Sequence, residues 1–130
     1  MILNVDLASE LPIYQQLRDQ IVEAIADGVL TEGSPLPATR TLAADFGINF
    51  HTVNKAYDLL RRQGLIRLTR KAGAVVTPTV ADPPFPAEWT ARARTLLAEA
   101  VARGLPADEV LKTCRSILDS FDAKKPEDTP

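Results

Sequence analysis

The sequence predicts a mainly α-helical fold with one small β-hairpin, and three observations lead to this class. Apolar residues recur at helical spacing in five stretches of the chain. Two β-prone runs flank a short basic segment after the third stretch, which is the pattern of a hairpin. A proline-rich segment then separates the hairpin from the last two helical stretches, so the chain divides into two parts.

Length and composition exclude several classes of protein. The chain has 130 residues, 45% hydrophobic and 25% charged, which is typical of a folded globular domain. A single cysteine excludes an internal disulfide and a cysteine-rich metal cluster, and one histidine leaves little material for histidine catalysis. The first residues lack the pattern of a signal peptide, and no apolar run approaches the roughly 20 residues of a membrane span. We therefore expect a cytoplasmic protein with no cofactor, metal ion or catalytic residue.

The first predicted helix covers residues 11–28. Ser9 is a candidate N-cap, and Pro12 stands where the first turn tolerates proline. One face is apolar, because apolar residues recur every four positions at Ile13, Leu17, Ile21 and Ile25.

Two shorter helices follow a loop over residues 31–37, which holds two prolines and a glycine. We expect the second helix over residues 38–46, ended by Gly47. Asn49 is a candidate cap for a third helix over residues 50–63. The residues expected to face the core are Leu42, Ala43 and Phe46 in one helix and Val53, Ala56, Tyr57, Leu59 and Leu60 in the other.

The β-prone runs cover residues 65–69 and 74–77, and the segment between them gives the hairpin a basic tip. A linker over residues 79–86 follows, because its prolines disfavour both a helix and an inner strand. Two further helices are expected within residues 87–121. The predicted organisation is therefore a domain over residues 11–78, the linker, a helical part over 87–121 and a disordered tail over 122–130.

The small net charge of −2 conceals a segregation of charge along the chain. Residues 1–33 hold one base and six acids, whereas residues 34–76 hold seven bases and two acids. A basic stretch of this kind suits an anionic partner, although a solvated basic face produces the same count.

The second and third helices, joined by a tight glycine-containing turn, form a helix-turn-helix, in which the second helix of the motif enters the DNA major groove. Asparagine pairs with adenine by two hydrogen bonds, and the threonine methyl group contacts thymine. Arg40 is placed to reach a phosphate or a guanine edge, and Arg70 and Lys71 at the hairpin tip to reach the flanking backbone or minor groove. Arg61 and Arg62 either contact phosphate or only complement the helix dipole.

Three motifs at fixed spacing resemble the GntR family of bacterial transcription regulators. They are L-P-x-x-R-x-L-A at residues 36–43, V-x-x-A-Y at 53–57 and G-L-I at 64–66. The resemblance covers residues 11–78 and implies a winged helix-turn-helix, with the hairpin as the wing. The two C-terminal helices resemble the YtrA-type subfamily, in which a short helical part serves dimerisation.

The resemblance also implies roles for individual residues. Arg40 matches an arginine that touches DNA, residues 49–54 match the recognition segment, and Gly73 matches the second glycine of the wing. The tip Lys71-Ala72-Gly73 departs from the usual glycine-basic-glycine pattern. The predicted DNA-binding residues are Thr39, Arg40, Asn49, Phe50, His51, Thr52, Asn54, Lys55, Arg70, Lys71 and Gly73.

The last two helices carry apolar stripes that predict a dimer interface. Two isolated helices bury too little surface to be stable alone, so we expect them to pack on a second copy rather than to form only an intramolecular core. The interface residues are Leu96, Leu97, Ala100, Val101, Val110, Leu111, Cys114, Ile117, Leu118 and Phe121. Phe85 and Trp89 are expected to hold the linker rather than to line an effector pocket, and Cys114 to pack rather than to sense redox state.

The sequence thus predicts a sequence-specific DNA-binding transcriptional regulator, a repressor that binds an inverted-repeat operator as a homodimer. The alternative is a winged-helix protein-interaction module without sequence-specific DNA binding. The sequence identifies no small-molecule effector, and it favours a DNA-facing His51 over a metal-binding one.

Overall fold

A computed structural model describes residues 3–78 and 82–124, which belong to two compact units. The first unit holds α1 (Ile13–Ala26), α2 (Thr39–Phe46), α3 (Phe50–Arg62), β1 (Ile66–Thr69) and β2 (Gly73–Val76). The second unit holds α4 (Phe85–Ala102) and α5 (Ala107–Lys124). The mainly helical class with one β-hairpin is therefore confirmed.

Helix α1 begins after Pro12 and buries Leu17 and Ile21 on its apolar face. The predicted cap at Ser9 is wrong: the Ser9 hydroxyl accepts from the backbone N–H of Leu11, before the helix, and α1 has no side-chain cap. Pro12 occupies the N-cap position with φ −54° and ψ 145°, where its missing N–H costs the helix no hydrogen bond. The predicted helix was two residues too long at each end.

The buried side chain of Gln16 ties the N-terminal segment to α1. Its amide donates to the carbonyl oxygens of Asp6 at 3.0 Å and Leu11 at 2.8 Å, and its carbonyl accepts from the backbone N–H of Asp6 at 2.9 Å. A buried amide with all these partners costs little free energy. The segment before α1 is therefore part of the fold, and Leu3 joins the core.

Helices α2 and α3 meet at the turn that the sequence predicted. Gly47 is left-handed at φ 63°, the conformation that a helix C-cap favours in glycine. The Asn49 side chain accepts from the backbone N–H of His51 at 2.8 Å, so the predicted cap of α3 is confirmed. Leu59 was expected to face the core, but it is only partly buried because it lies at the edge of the face made by Val53, Ala56 and Leu60.

Strands β1 and β2 pair antiparallel, with Ile66 opposite Val76 and Thr69 opposite Gly73. Thr69 closes the turn between them: its hydroxyl accepts from the N–H of Ala72 and donates to the carbonyl of Gly73. The loop that the sequence left irregular also pairs with β2, since the N–H of Leu36 donates to Ala74 at 2.8 Å and Val76 donates to Ser34 at 3.0 Å. Pro35 is tolerated there because the segment lies at a sheet edge.

The core of the first unit lies between α1, α3 and the hairpin. Its largest fully buried side chains are Leu17, Ile21, Val53, Leu60 and Val76. Tyr57 completes it on the α2 side, where its hydroxyl donates to the carbonyl of Pro37 at 2.7 Å. Burial raises the pKa of this hydroxyl to about 12, so it remains a donor at physiological pH.

In the second unit α4 begins earlier than predicted and α5 ends later than predicted. Helix α4 begins at Phe85 rather than residue 87. Pro86 lies in the first turn, where backbone N–H groups have no partner within the helix, so a proline is tolerated there. Helix α5 continues to Lys124, so residues 122–124 of the predicted tail are helical. The chain offers no helix breaker before Pro126. The rest of the predicted tail and residues 79–81 of the predicted linker lie outside the described residues.

Neither α4 nor any other helix of the described residues is both long and apolar enough to span a membrane.

Candidate nucleic-acid interface

The outer face of α3 presents the predicted base-reading residues. His51 and Lys55 are exposed, whereas Thr52 and Asn54 are half-buried. Asn49 is exposed, but its side-chain oxygen is occupied by the helix cap. The Lys55 ammonium lies 4.1 Å from the centroid of the Tyr14 ring, which links the recognition helix to α1.

Arg40 and Phe50 are brought together by the turn between α2 and α3. The Cζ atom of Arg40 lies 4.4 Å from the centroid of the Phe50 ring, in a cation–π contact. Phe50 also packs against the core, and its ring centroid lies 5.5 Å from that of His51. The contact between Arg40 and Phe50 was not predicted, because the sequence pattern pairs no residues across this turn.

Arg61 and Arg62 are both paired with one acid on the same helix. Arg61 donates to Asp58 Oδ1 and Arg62 Nε lies 3.1 Å from Asp58 Oδ2, with all three side chains exposed to solvent. The hydrogen bond from Arg61, with both arginine charges, lowers the pKa of Asp58. Asp58 was expected to face outward on this helix, but its pairing was not predicted, although its spacing of three and four from the two arginines is a visible signal.

A groove of about 460 Å³ runs along the exposed side of α3. Its walls come from three elements: Thr39 of α2, Asn54, Asp58 and Arg61 of α3, and Leu68 of β1. Leu68 is 68% exposed, which is unusual for a leucine on the same strand face as the buried Ile66. The structure therefore brings Thr39 and Asn54 together with Asp58, and it adds Leu68, which was expected only as part of a strand.

The wing carries the remaining predicted contacts. Arg70 and Lys71 are exposed in the turn between β1 and β2, and Arg67 is exposed on β1. Gly73 opens β2 at φ 69°, a conformation that L-residues rarely adopt. Among the described residues, Arg70 and Lys71 make no ion pair, so both charges are available to an anion.

The second unit exposes apolar side chains along both helices. On α4 the exposed fraction is 68% for Leu96 and 65% for Val101, and on α5 it is 70% for Leu111 and 62% for Leu118. Leu97, Cys114 and Ile117 are also exposed, and Ala100, Val110 and Phe121 are partly buried. Phe85 and Trp89, expected to hold the linker, are exposed by 46% and 55%.

In the part of the chain that the structure describes, His, Cys, Asp and Glu side chains do not gather in threes as a metal site requires. Cys114 is a free, exposed thiol there.

Comparison with known proteins places this arrangement among regulators of transcription. The family model for bacterial regulatory proteins of the gntR family matches residues 13–76. The HTH-type transcriptional repressor YtrA of Bacillus subtilis (strain 168) is 36% identical over 75 residues, which are 58% of this chain and 58% of that protein. The chain therefore matches little more than half the length of this curated relative.

Two solved structures share the architecture. The first is YtrA from Sulfolobus acidocaldarius, a GntR-family transcription factor, with 40% identity, coverage of 78% of this chain and 99% of that chain, and a TM-score of 0.64. The second is the DNA-binding domain AraR(DBD) in complex with operator ORX1, with 28% identity, coverage of 59% of this chain and 99% of that chain, and a TM-score of 0.52.

Proposed function

Because this chain belongs to the GntR family of bacterial regulatory proteins, we propose that it regulates transcription by binding operator DNA through α3 and the wing. The family and the winged helix-turn-helix predicted from the motifs are confirmed. One observation carries the proposal: the exposed end of α3 and the basic wing belong to a fold that AraR(DBD) uses in complex with an operator.

We assign the base-reading role to the N-terminal half of α3, which enters the major groove in this motif. Asn54 is the stronger candidate for pairing with adenine, since the side-chain oxygen of Asn49 would have to leave its cap to do so. Thr52 and His51 are placed to contact neighbouring base edges, and Lys55 the adjoining backbone.

We assign the phosphate contacts to residues outside α3, chiefly basic side chains. Arg70 and Lys71 at the wing tip reach the flanking backbone or minor groove, with Gly73 providing the turn, while Arg40 and Thr39 contact DNA from the start of α2. Such contacts fix the register on the duplex and make binding dependent on salt.

The exposed stripes of α4 and α5 support a homodimer. The structure has no buried residue in α4, so this helix pair lacks a core of its own. A second copy of the same pair would cover these side chains, since two isolated helices bury too little surface to be stable. A two-fold axis then presents two α3 helices to half-sites about 34 Å apart or a multiple of that, so the operator is an inverted repeat.

We further propose that the chain is a repressor that works in the cytoplasm, where bacterial DNA lies. The name of the Bacillus subtilis relative supports repression. A protein-interaction module is the weaker alternative, because it has no need of a basic wing and the fold is shared with an operator-bound domain. The family consists of regulators rather than enzymes, which supports the expectation of no catalytic activity.

Fluorescence anisotropy tests this function. The full chain is titrated against a labelled duplex from upstream of its own gene and against a scrambled duplex, each at two salt concentrations. We expect salt-dependent binding that favours the upstream duplex. Absence of binding to both duplexes by the folded protein would favour the protein-interaction alternative.

A further inference from the structure

The contact between Arg40 and Phe50 joins the two helices of the helix-turn-helix. Arg40 lies in the first turn of α2, and Phe50 is the first residue of α3. The Arg40 Cζ atom lies over the ring, 4.4 Å from its centroid, which is the arrangement of a cation–π contact. Arg40 is exposed at this point, so its side chain would sample many rotamers without the ring.

The ring itself is held by the fold. Phe50 packs against the core of the first unit and is half-buried. The His51 ring lies against it, with 5.5 Å between centroids and 57° between planes. Immediately before it, Asn49 fixes the start of the helix through its cap. Phe50 therefore offers Arg40 a surface whose position the core determines.

A guanidinium in a cation–π contact still carries five N–H donors, which can bond to other groups. Among the described residues, Arg40 makes no hydrogen bond or ion pair, while Arg61 and Arg62 give donors to Asp58. The stack thus orients Arg40 without consuming the donors that would bind DNA.

We propose that Phe50 is a positioning residue that holds the Arg40 guanidinium ready for its contact with a phosphate or a guanine edge. This inference rests on the proposed function, because it requires Arg40 to contact DNA. Ordering an arginine before binding reduces the entropy that the complex loses. We expect the stack to improve affinity about two- to fivefold, equivalent to about 0.5–1 kcal/mol at 1.36 kcal/mol per factor of ten.

The test measures DNA affinity of the full chain in a double-mutant cycle. Phe50→Leu keeps an apolar side chain against the core but removes the aromatic face, and Phe50→Tyr keeps the face. Phe46→Leu is the matched control, because Phe46 packs against the same core from α2. We expect Phe50→Leu to weaken binding two- to fivefold, Phe50→Tyr to recover most of that loss because it keeps the aromatic face, and Phe46→Leu to bind as the wild type does. In an Arg40→Ala background, Phe50→Leu should weaken binding no further.

Three results would overturn the inference alone: wild-type affinity in Phe50→Leu, an equal loss in Phe50→Tyr or Phe46→Leu, or a loss that persists in the Arg40→Ala background. A wild-type protein that binds neither duplex would overturn the proposed function as well. The two failures are therefore distinguishable. Thermal unfolding of each variant shows whether a loss of affinity comes from a loss of folded protein.

Discussion

At the scale of single residues, Asn54 is the position where sequence discrimination is expected to concentrate. Its side chain lines the groove on α3 and, unlike that of Asn49, does not cap the helix. We expect Asn54→Ala to lower affinity for the operator by about 1–3 kcal/mol, the usual value of a good pairing with a base. Anisotropy on the scrambled duplex is the control, because it reports backbone contacts and should not change.

Asp58 determines how much positive charge α3 presents to DNA. It pairs with both Arg61 and Arg62. The sequence had suggested that these arginines either contact phosphate or only complement the helix dipole, whereas the structure shows them in an ion-paired cluster. Asp58→Asn releases both guanidiniums, and we expect affinity for any duplex to rise, with the log–log salt slope steeper by about one to two.

Glu23→Gln is the matched control for Asp58→Asn, since Glu23 is an exposed acid on α1. An equal rise in both variants would mean that only net charge matters. A fall in operator affinity in Asp58→Asn would instead mean that Asp58 accepts a hydrogen bond from cytosine.

At the scale of elements, the cap at Asn49 links the stability of α3 to recognition. Asn49→Ala removes the hydrogen bond to the His51 N–H and is expected to cost about 1 kcal/mol of unfolding free energy, measured by urea denaturation. Asn49→Asp preserves a cap of equal quality but adds a negative charge beside DNA. Asn49→Asp should therefore keep the unfolding free energy of the wild type but bind DNA more weakly. If it loses both stability and affinity, the role of Asn49 in binding is not separable from its role as a cap.

Helix positions were predictable because apolar periodicity and glycine stops are local signals. Gly47 and Asn49 fixed the turn of the helix-turn-helix to the residue. The pairing of Ser34 and Leu36 with β2 was not predictable, since it depends on a strand distant in sequence and includes a proline. The contact between Arg40 and Phe50 had no signal either, because each residue was assigned to DNA by its own place in the motif and nothing in the pattern joined the two.

At the scale of the whole molecule, the exposed apolar faces of α4 and α5 are the surfaces through which we propose that the chain dimerises. We expect Leu111→Glu to shift the mass in sedimentation equilibrium to that of one copy, because the charge would be buried without a partner. Affinity for the full operator should fall with it, since two linked domains bind far more tightly than one. Lys112→Glu, on the same helix, is the control and should remain dimeric. An unchanged mass in Leu111→Glu would place the interface elsewhere.

The hydrogen bonds between residues 33–36 and β2 hold the base of the wing in place and leave its tip free to move. Its base is clamped from both sides, because β2 pairs with β1 and also with the loop through Gly33, Ser34 and Leu36. Beyond Thr69 the tip is supported only by its own turn. In hydrogen exchange, the N–H of Val76 should therefore exchange slowly and that of Lys71 quickly. In the proposed complex with DNA, a stiff base with a compliant tip would let the wing follow the local width of the minor groove while α3 stays in register.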